Sequence, residues 1–346
     1  MSKENRIVYF DYLRFFAIIA VMLLHISGSS WNSIDVKSFA WQTFNVFDSI
    51  ARWGVPIFVM ISGALFLNRD IPPRQIYKKY ILRLLIAYVI WSIVYAIFQD
   101  GTIIERFVYI IKGHYHMWFI FMIIGLYALV PLIKPIIENE KRVKYFLTLS
   151  LVFAILIPFI NTLANDFAGE AINKVVLVVK DTLDNTNMQF VLGYTGYFIL
   201  GYYLNKIEIS KNKRIIIYIF GIIGFIMTIG LNLVVSMKTN SPCNHYYSTF
   251  TINVLFEAIA VFTWFKYRKY EKDKLNNFFL KLANYSFGAY LVHALILEQL
   301  DKIFNLNPLS LNPLVSVIVI LLIISLCSFS VSAILHRIPI IKKYIV

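Results

Sequence analysis

The sequence predicts an all-α fold: a polytopic membrane protein, a bundle of about ten transmembrane helices with both termini cytoplasmic. Three observations carry this expectation. The chain is 59% hydrophobic and 15% charged, which leaves too little polar surface for a soluble globule; its mean hydropathy is +0.69. Apolar segments recur along the whole chain, each long enough to cross a bilayer. The basic residues alternate between the connecting loops as the positive-inside rule requires.

The apolar segments fall near 9–28, 45–67, 80–98, 116–134, 145–161, 189–205, 214–236, 248–266, 282–299 and 314–335. Each holds about 17 to 23 residues, enough for about 30 Å at 1.5 Å per residue. The sixth is the shortest in apolar content, being rich in Gly and Tyr. With the N-terminus inside, the inner segments collect Lys3, Arg6, "NRDIPPRQIYKKYILR", "KPIIENEKRVK", "NKIEISKNKR", "KYRKYEKDKLNNFFLK" and "HRIPIIKKYIV". That places about 24 Lys and Arg inside against about 7 outside, with Arg14 and Arg52 in spans. The net charge of +14 is thereby explained by topology and anionic lipid, with no nucleic-acid partner. The 22 Tyr and 29 Phe suit interfacial anchoring.

Lys3 and Arg6 before an apolar run imitate a signal peptide. Asp11 and Arg14 interrupt that run and no clear small-residue cleavage site follows, so a retained first span is expected. The longest polar stretch, at 162–188, is too short for an independent domain, so residues 1–346 read as one membrane domain. Its centre, "AINKVVLVVKDTL", reads either as a short amphipathic helix over the mouth of the bundle or as a solvated connector. Cys243 and Cys327 show neither a disulfide framework nor a metal spacing, and no metal ligand set is read anywhere.

The first span, "YFDYLRFFAIIAVMLLHISG", carries three ionisable groups. Arg14 and His25 are eleven residues apart, three turns plus about 20°, so they share a face about 16 Å apart along the axis. Asp11 lies one turn before Arg14, placed for an ion pair. Such a stripe belongs toward a bundle interior or a water-filled passage. Arginine recognises phosphate, and histidine is the natural base near neutral pH. The pair suggests a phosphate-bearing molecule held from the inside and proton chemistry near the outside.

These residues resemble the acyltransferase-3 family of integral membrane acyltransferases, whose first span carries an arginine, ten residues and a histidine. The second span "WGVPIFVMISGALFL" is similar to the family's run ending in Ser-Gly, here Ser62 and Gly63. "IYKKYILRLLIAYVIW" looks like its basic third-span entry, with Lys79 where the family usually has arginine, Lys78 beside it, and Arg83. "HYHMWFIFMIIGLYALVPLI" and "LANYSFGAYLVHALIL" are similar to the fourth and ninth spans. The esterase-like domain that some members carry after the last span is not expected, so the chain resembles the stand-alone members.

The resemblance implies transfer of an acyl group, acetyl by default and succinyl as the alternative. It would pass from a cytoplasmic coenzyme A thioester to a hydroxyl or amine of an outer acceptor. It implies a plasma-membrane enzyme of the cell envelope that modifies a polysaccharide or a related molecule. Peptidoglycan, capsule, teichoic acid, lipopolysaccharide and small molecules all stay open as acceptors. Abundant Ile, Lys and Asn suit an AT-rich bacterial genome. His25 is then the general base or a carrier of the acyl group, with Asp11 beside it in the catalytic set, and Arg14, Lys79 and Arg83 hold the coenzyme A phosphates. His116, Trp118, Glu257 and His293 are the candidate acceptor-binding residues. Glu257 sits mid-span, with Arg52 or His293 as expected partners. His114, His245 and His336 read as loop or span-end residues, and Ser62 and Gly63 as close helix packing. The rival readings are a transporter or flippase of a glycan or lipid-linked sugar, which a polar passage serves equally well, and a receptor or scaffold, which leaves the Arg14–His25 alignment unexplained.

Overall fold

A computed structural model describes residues 7–185, 188–271 and 274–345; Lys3 and Arg6 lie outside these. All regular structure among the described residues is helical. The first helix, α1 (Val8–Gly28), stands at the centre and packs against five others. Around it run α2 (Phe39–Ser49), α3 (Gly54–Leu67), α4 (Pro73–Phe98), α5 (Ile103–Lys112), α6 (Trp118–Ile137) and α7 (Glu140–Phe167). The remainder are α8 (Glu170–Asn185), α9 (Met188–Lys206), α10 (Lys211–Thr239), α11 (Ile252–Tyr267), α12 (Lys274–Phe304), α13 (Pro313–Leu335) and the short α14 (Pro339–Tyr344).

Among the described residues, eight segments are long and apolar enough to span a membrane. They coincide with the first five expected spans and with the seventh, eighth and tenth. The sixth and ninth correspond to α9 and α12, whose buried faces mix Tyr197, Tyr202, Tyr290 and His293 with aliphatic side chains. A helix packed among other helices needs less apolar surface than one facing lipid. On α13 and α10 the reverse holds, and Leu322, Leu326, Ile222 and Ile226 point outward.

The second span is not one helix. It breaks over residues 50–53, between α2 and α3, where a turn closes with Gly54 N–H on Ala51 O at 3.0 Å. Pro56 in the first turn of α3 has no N–H to give, so the break costs little there. The break swings Arg52 out of a continuous helix. Ser62 and Gly63 do mark close packing: a Cβ on Gly63 would overlap the Phe198 carbonyl of α9, and one on Gly201 would overlap the Met60 backbone. Two apolar clusters meet along α1. Tyr9 to Ala17 pack with α3, α6, α9 and α11, and Ile18 to Ile26 pack with α2, α4, α12 and α13. Lys266 Nζ closes the end of α9, donating to the carbonyls of Leu204, Asn205 and Ile207 at 2.9, 3.1 and 2.5 Å.

The connector at 162–188 is largely helical: α8 packs on α7, with Val175, Leu177 and Val178 exposed. The centre of the connector is therefore a helix, as one of its two readings expected.

Candidate active site

The expected stripe on α1 has two ends. At the end carrying the N-terminus, Arg14 Nη1 donates to Asp11 Oδ1 at 3.0 Å, so the expected ion pair forms. At the other end, His25 borders two cavities. The inner one, of about 240 Å³, is lined by His25, Arg52, His116, Trp118, Tyr247 and Tyr290, among others. The outer one, of about 480 Å³, is lined by His25, Asp48, Arg52, Tyr115, Glu298 and Asp301, among others. His25 and Arg52 face both.

Each of these side chains is placed by a local cause. The helix break delivers Arg52, held by Asp48 at 2.5 Å and lying over the Tyr247 ring at 4.1 Å. Tyr247 is fixed in turn, its hydroxyl donating to Asn45 Oδ1 at 2.5 Å. The turn between α5 and α6 delivers His114 and His116. It opens at Gly113, whose φ of +71° favours glycine and where a Cβ would strike the Tyr88 ring. Then α12 delivers Tyr290, His293 and Glu298. The Tyr290 hydroxyl donates to the His116 carbonyl at 2.6 Å, and His293 Nδ1 lies 2.6 Å from the Tyr290 carbonyl.

Three imidazoles gather as a result. His25 and His293 have ring centroids 5.2 Å apart, His116 and His293 5.0 Å, and His25 and His116 6.5 Å. His25, Arg52 and a chamber of about 240 Å³ lie together. An imidazole and a guanidinium are the two kinds of group, a proton acceptor and a positive charge, that acyl transfer uses.

A third cavity, of about 870 Å³, opens at the opposite end of the bundle. Its rim is basic, with Arg83, Lys281, His336, Arg337 and Lys342, and its walls include Phe278, Tyr285 and Phe329. Of the three residues expected to bind phosphate, Arg83 lines this cavity. Lys79 is exposed on a π-helical turn, Ile76–Ile81, and its ammonium lies over Tyr80. Arg14 and Arg83 both act electrostatically on the Tyr127 hydroxyl, and Arg14 is not among the residues lining the cavity.

The structure thus brings together His25, His116, Trp118 and His293. Glu257 stands apart. Its Oε1 accepts from Thr228 Oγ1 at 2.5 Å, Arg52 acts on it electrostatically, and it is not among the residues lining either chamber. His114, expected to be a plain loop residue, is 3% exposed and bonded on both ring nitrogens. His336 likewise joins the basic cavity. Sequence reasoning missed Arg52, His114, Glu298, Lys281, Arg337 and Lys342 as site residues. The signal for Arg52 was a charge counted inside a span next to Gly and Pro; the cations of the tail were absorbed by the loop-charge rule.

One group of metal-ligand types does converge, contrary to the reading of the spacings: Asp166, Cys243 and His245. Their sequence separation hid them. The carboxylate already accepts from His245 Nδ1 at 3.0 Å and the Tyr246 hydroxyl at 2.8 Å, and the group ties the end of α7 to the loop before α11.

No curated protein and no solved structure is significantly similar to the chain. The profile of the family described as an acyltransferase domain, acyltransferase family 3, matches residues 7–337, which is nearly all of it. A multi-helix membrane bundle with a base and a cation at one chamber agrees with that match, and the chain belongs to the acyltransferase-3 family as a membrane acyltransferase.

Proposed function

We propose that the protein moves an acyl group, acetyl by default, from cytoplasmic acyl-CoA to a hydroxyl or amine of a cell-envelope glycan or related acceptor. The observation that carries this reading is the pairing of two sites at opposite ends of α1: a basic cavity rimmed by Arg83, Lys281, Arg337 and Lys342, and the His25 chamber. Coenzyme A asks for such a pair. Its phosphates call for charge-assisted donors, and its long arm carries the thioester away from them. Lys281, Arg337 and Lys342 supply charge, and Phe278 and Tyr285 supply apolar surface for the adenine.

At the chamber, His25 takes the acceptor's proton as the acceptor oxygen or nitrogen bonds the thioester carbonyl carbon. Arg52 faces the oxygen on which negative charge develops. The carbon–sulfur bond then breaks and the proton passes to the leaving sulfur. Trp118, His116 and His293 border the acceptor, and an aromatic wall beside imidazole acceptors suits a sugar ring with its hydroxyls. The loop charges support a cytoplasmic basic cavity and an outward-facing chamber, in keeping with a plasma-membrane enzyme.

The test is turnover of radiolabelled acetyl-CoA by the purified protein in proteoliposomes, wild type beside His25→Ala. The expected result is wild-type turnover that falls at least ~10²-fold in the variant, with coenzyme A binding kept. A wild type that neither binds nor consumes the thioester overturns the donor assignment and moves the transporter reading ahead.

A further inference from the structure

His114 is buried between two partners. Its Nε2 lies 2.7 Å from Glu298 Oε1, and its Nδ1 lies 2.8 Å from His116 Nδ1. Tyr95 stacks on its ring at 4.1 Å and fixes the plane. Glu298 stands at the outer cavity, 35% exposed, while His116 lines the inner one. The three residues therefore form a continuous chain between the two cavities that His25 borders.

The chemistry of the donors orients this chain. A carboxylate accepts and does not donate, so His114 gives its Nε2–H to Glu298. A neutral imidazole holds one proton, so Nδ1 of His114 is a bare lone pair. It can only accept, and His116 supplies its Nδ1–H. Nε2 of His116 is then bare as well. That atom is buried and finds no partner among the described residues, in a side chain 2% exposed. A buried acceptor without a donor is costly, and such groups are retained where a ligand or a proton completes them.

Resting on the acyl-transfer reading, we propose that Glu298, His114 and His116 form a proton relay that makes His116 a second proton-accepting group beside His25 in the acceptor chamber. The proton count is closed. On this path the acceptor's proton goes to His116 Nε2 in place of His25, and an N–H bond forms there. The Nδ1–H of His116 breaks as an N–H forms at His114 Nδ1. His114, still donating Nε2–H to Glu298, becomes an imidazolium paired with that carboxylate. The reverse path returns the proton to the chamber for the leaving sulfur. Glu298 and His114 act through His116 and are positioning residues.

The decisive variant is Glu298→Lys. A lysine only donates, so it turns the chain around: His114 Nε2 must accept, His114 gives Nδ1–H to His116, and His116 carries its proton at Nε2. Imidazole nitrogen NMR on histidine-labelled protein in bilayers reads this without turnover. The wild type is expected to show His116 protonated at Nδ1 and bare at Nε2, and Glu298→Lys the opposite. With acetyl-CoA as donor and glycerol as outer acceptor, Glu298→Lys is expected to lose ~10²-fold in kcat with KM for acetyl-CoA unchanged. Glu298→Asp should recover most of that loss. Either a wild-type His116 protonated at Nε2, or a Glu298→Lys protein with wild-type kcat, overturns the relay. If the wild type consumes no acetyl-CoA, the donor assignment fails while the nitrogen spectra still decide the relay.

Discussion

Arg52 shows how much one side chain can depend on its supports. Its guanidinium is held by Asp48 on one side and by the Tyr247 ring on another, and it faces both cavities next to His25. A lysine keeps the charge and loses the planar fork that serves both supports at once. Arg52→Lys is therefore expected to lower kcat by ~10²-fold while leaving KM for acyl-CoA near its wild-type value, a split visible in steady-state kinetics. The first span was largely legible at this scale. The Asp11–Arg14 pair and the polar face ending at His25 follow from helical spacing alone. Arg52 was not, because its role depends on a helix break that hydropathy does not register: residues 45–67 read as one apolar run. Thr228 as the hydrogen-bond partner of Glu257 was not legible for a related reason. A carboxylate in mid-span signals a polar partner, yet spacing within one helix says nothing of Thr228 on another.

The contact between α3 and α9 is the closest helix pairing at the heart of the bundle, and it is made by glycines. Gly63 faces the Phe198 carbonyl and Gly201 the Met60 backbone, so the two chains touch backbone to backbone. A methyl at Gly63 meets main-chain atoms that cannot rotate away. Gly63→Ala is expected to destabilise the protein by about 1–3 kcal/mol, measured as a lowered thermal midpoint in detergent, with the larger effect for Gly63→Val. The Ser-Gly pair was readable as a packing site, and its partner was not, because spacing within one span does not say which other span it meets. α9 and α12 were read as spans in spite of the Tyr, Gly and His that they carry.

Taken whole, the bundle separates a basic cavity at one end from a histidine-lined chamber at the other, with α1 running between them. The fold class was legible because it follows from the transfer of side chains between water and lipid, while the loop cations were read through the positive-inside rule. The basic cavity was hidden by that same rule: Lys281, Arg337 and Lys342 look like anchors until α12, α13 and α14 place them around one opening. Reversing two of them separates the roles. Lys281→Glu with Arg337→Glu is expected to raise KM for acyl-CoA by ~10-fold or more, with a smaller effect at high salt, while kcat at saturation changes little. The helix α5 bears on this organisation from outside. Ile103, Ile104, Phe107, Val108 and Ile111 are all exposed along one side of it, while the Tyr88 hydroxyl holds the Ile111 carbonyl at 3.0 Å, three residues before His114. A helix of that kind floats at the level of the lipid headgroups. Through hydrophobic mismatch, bilayers of different acyl-chain length are expected to shift α5 and with it the turn that carries His114 and His116, so turnover in proteoliposomes is expected to change with lipid chain length.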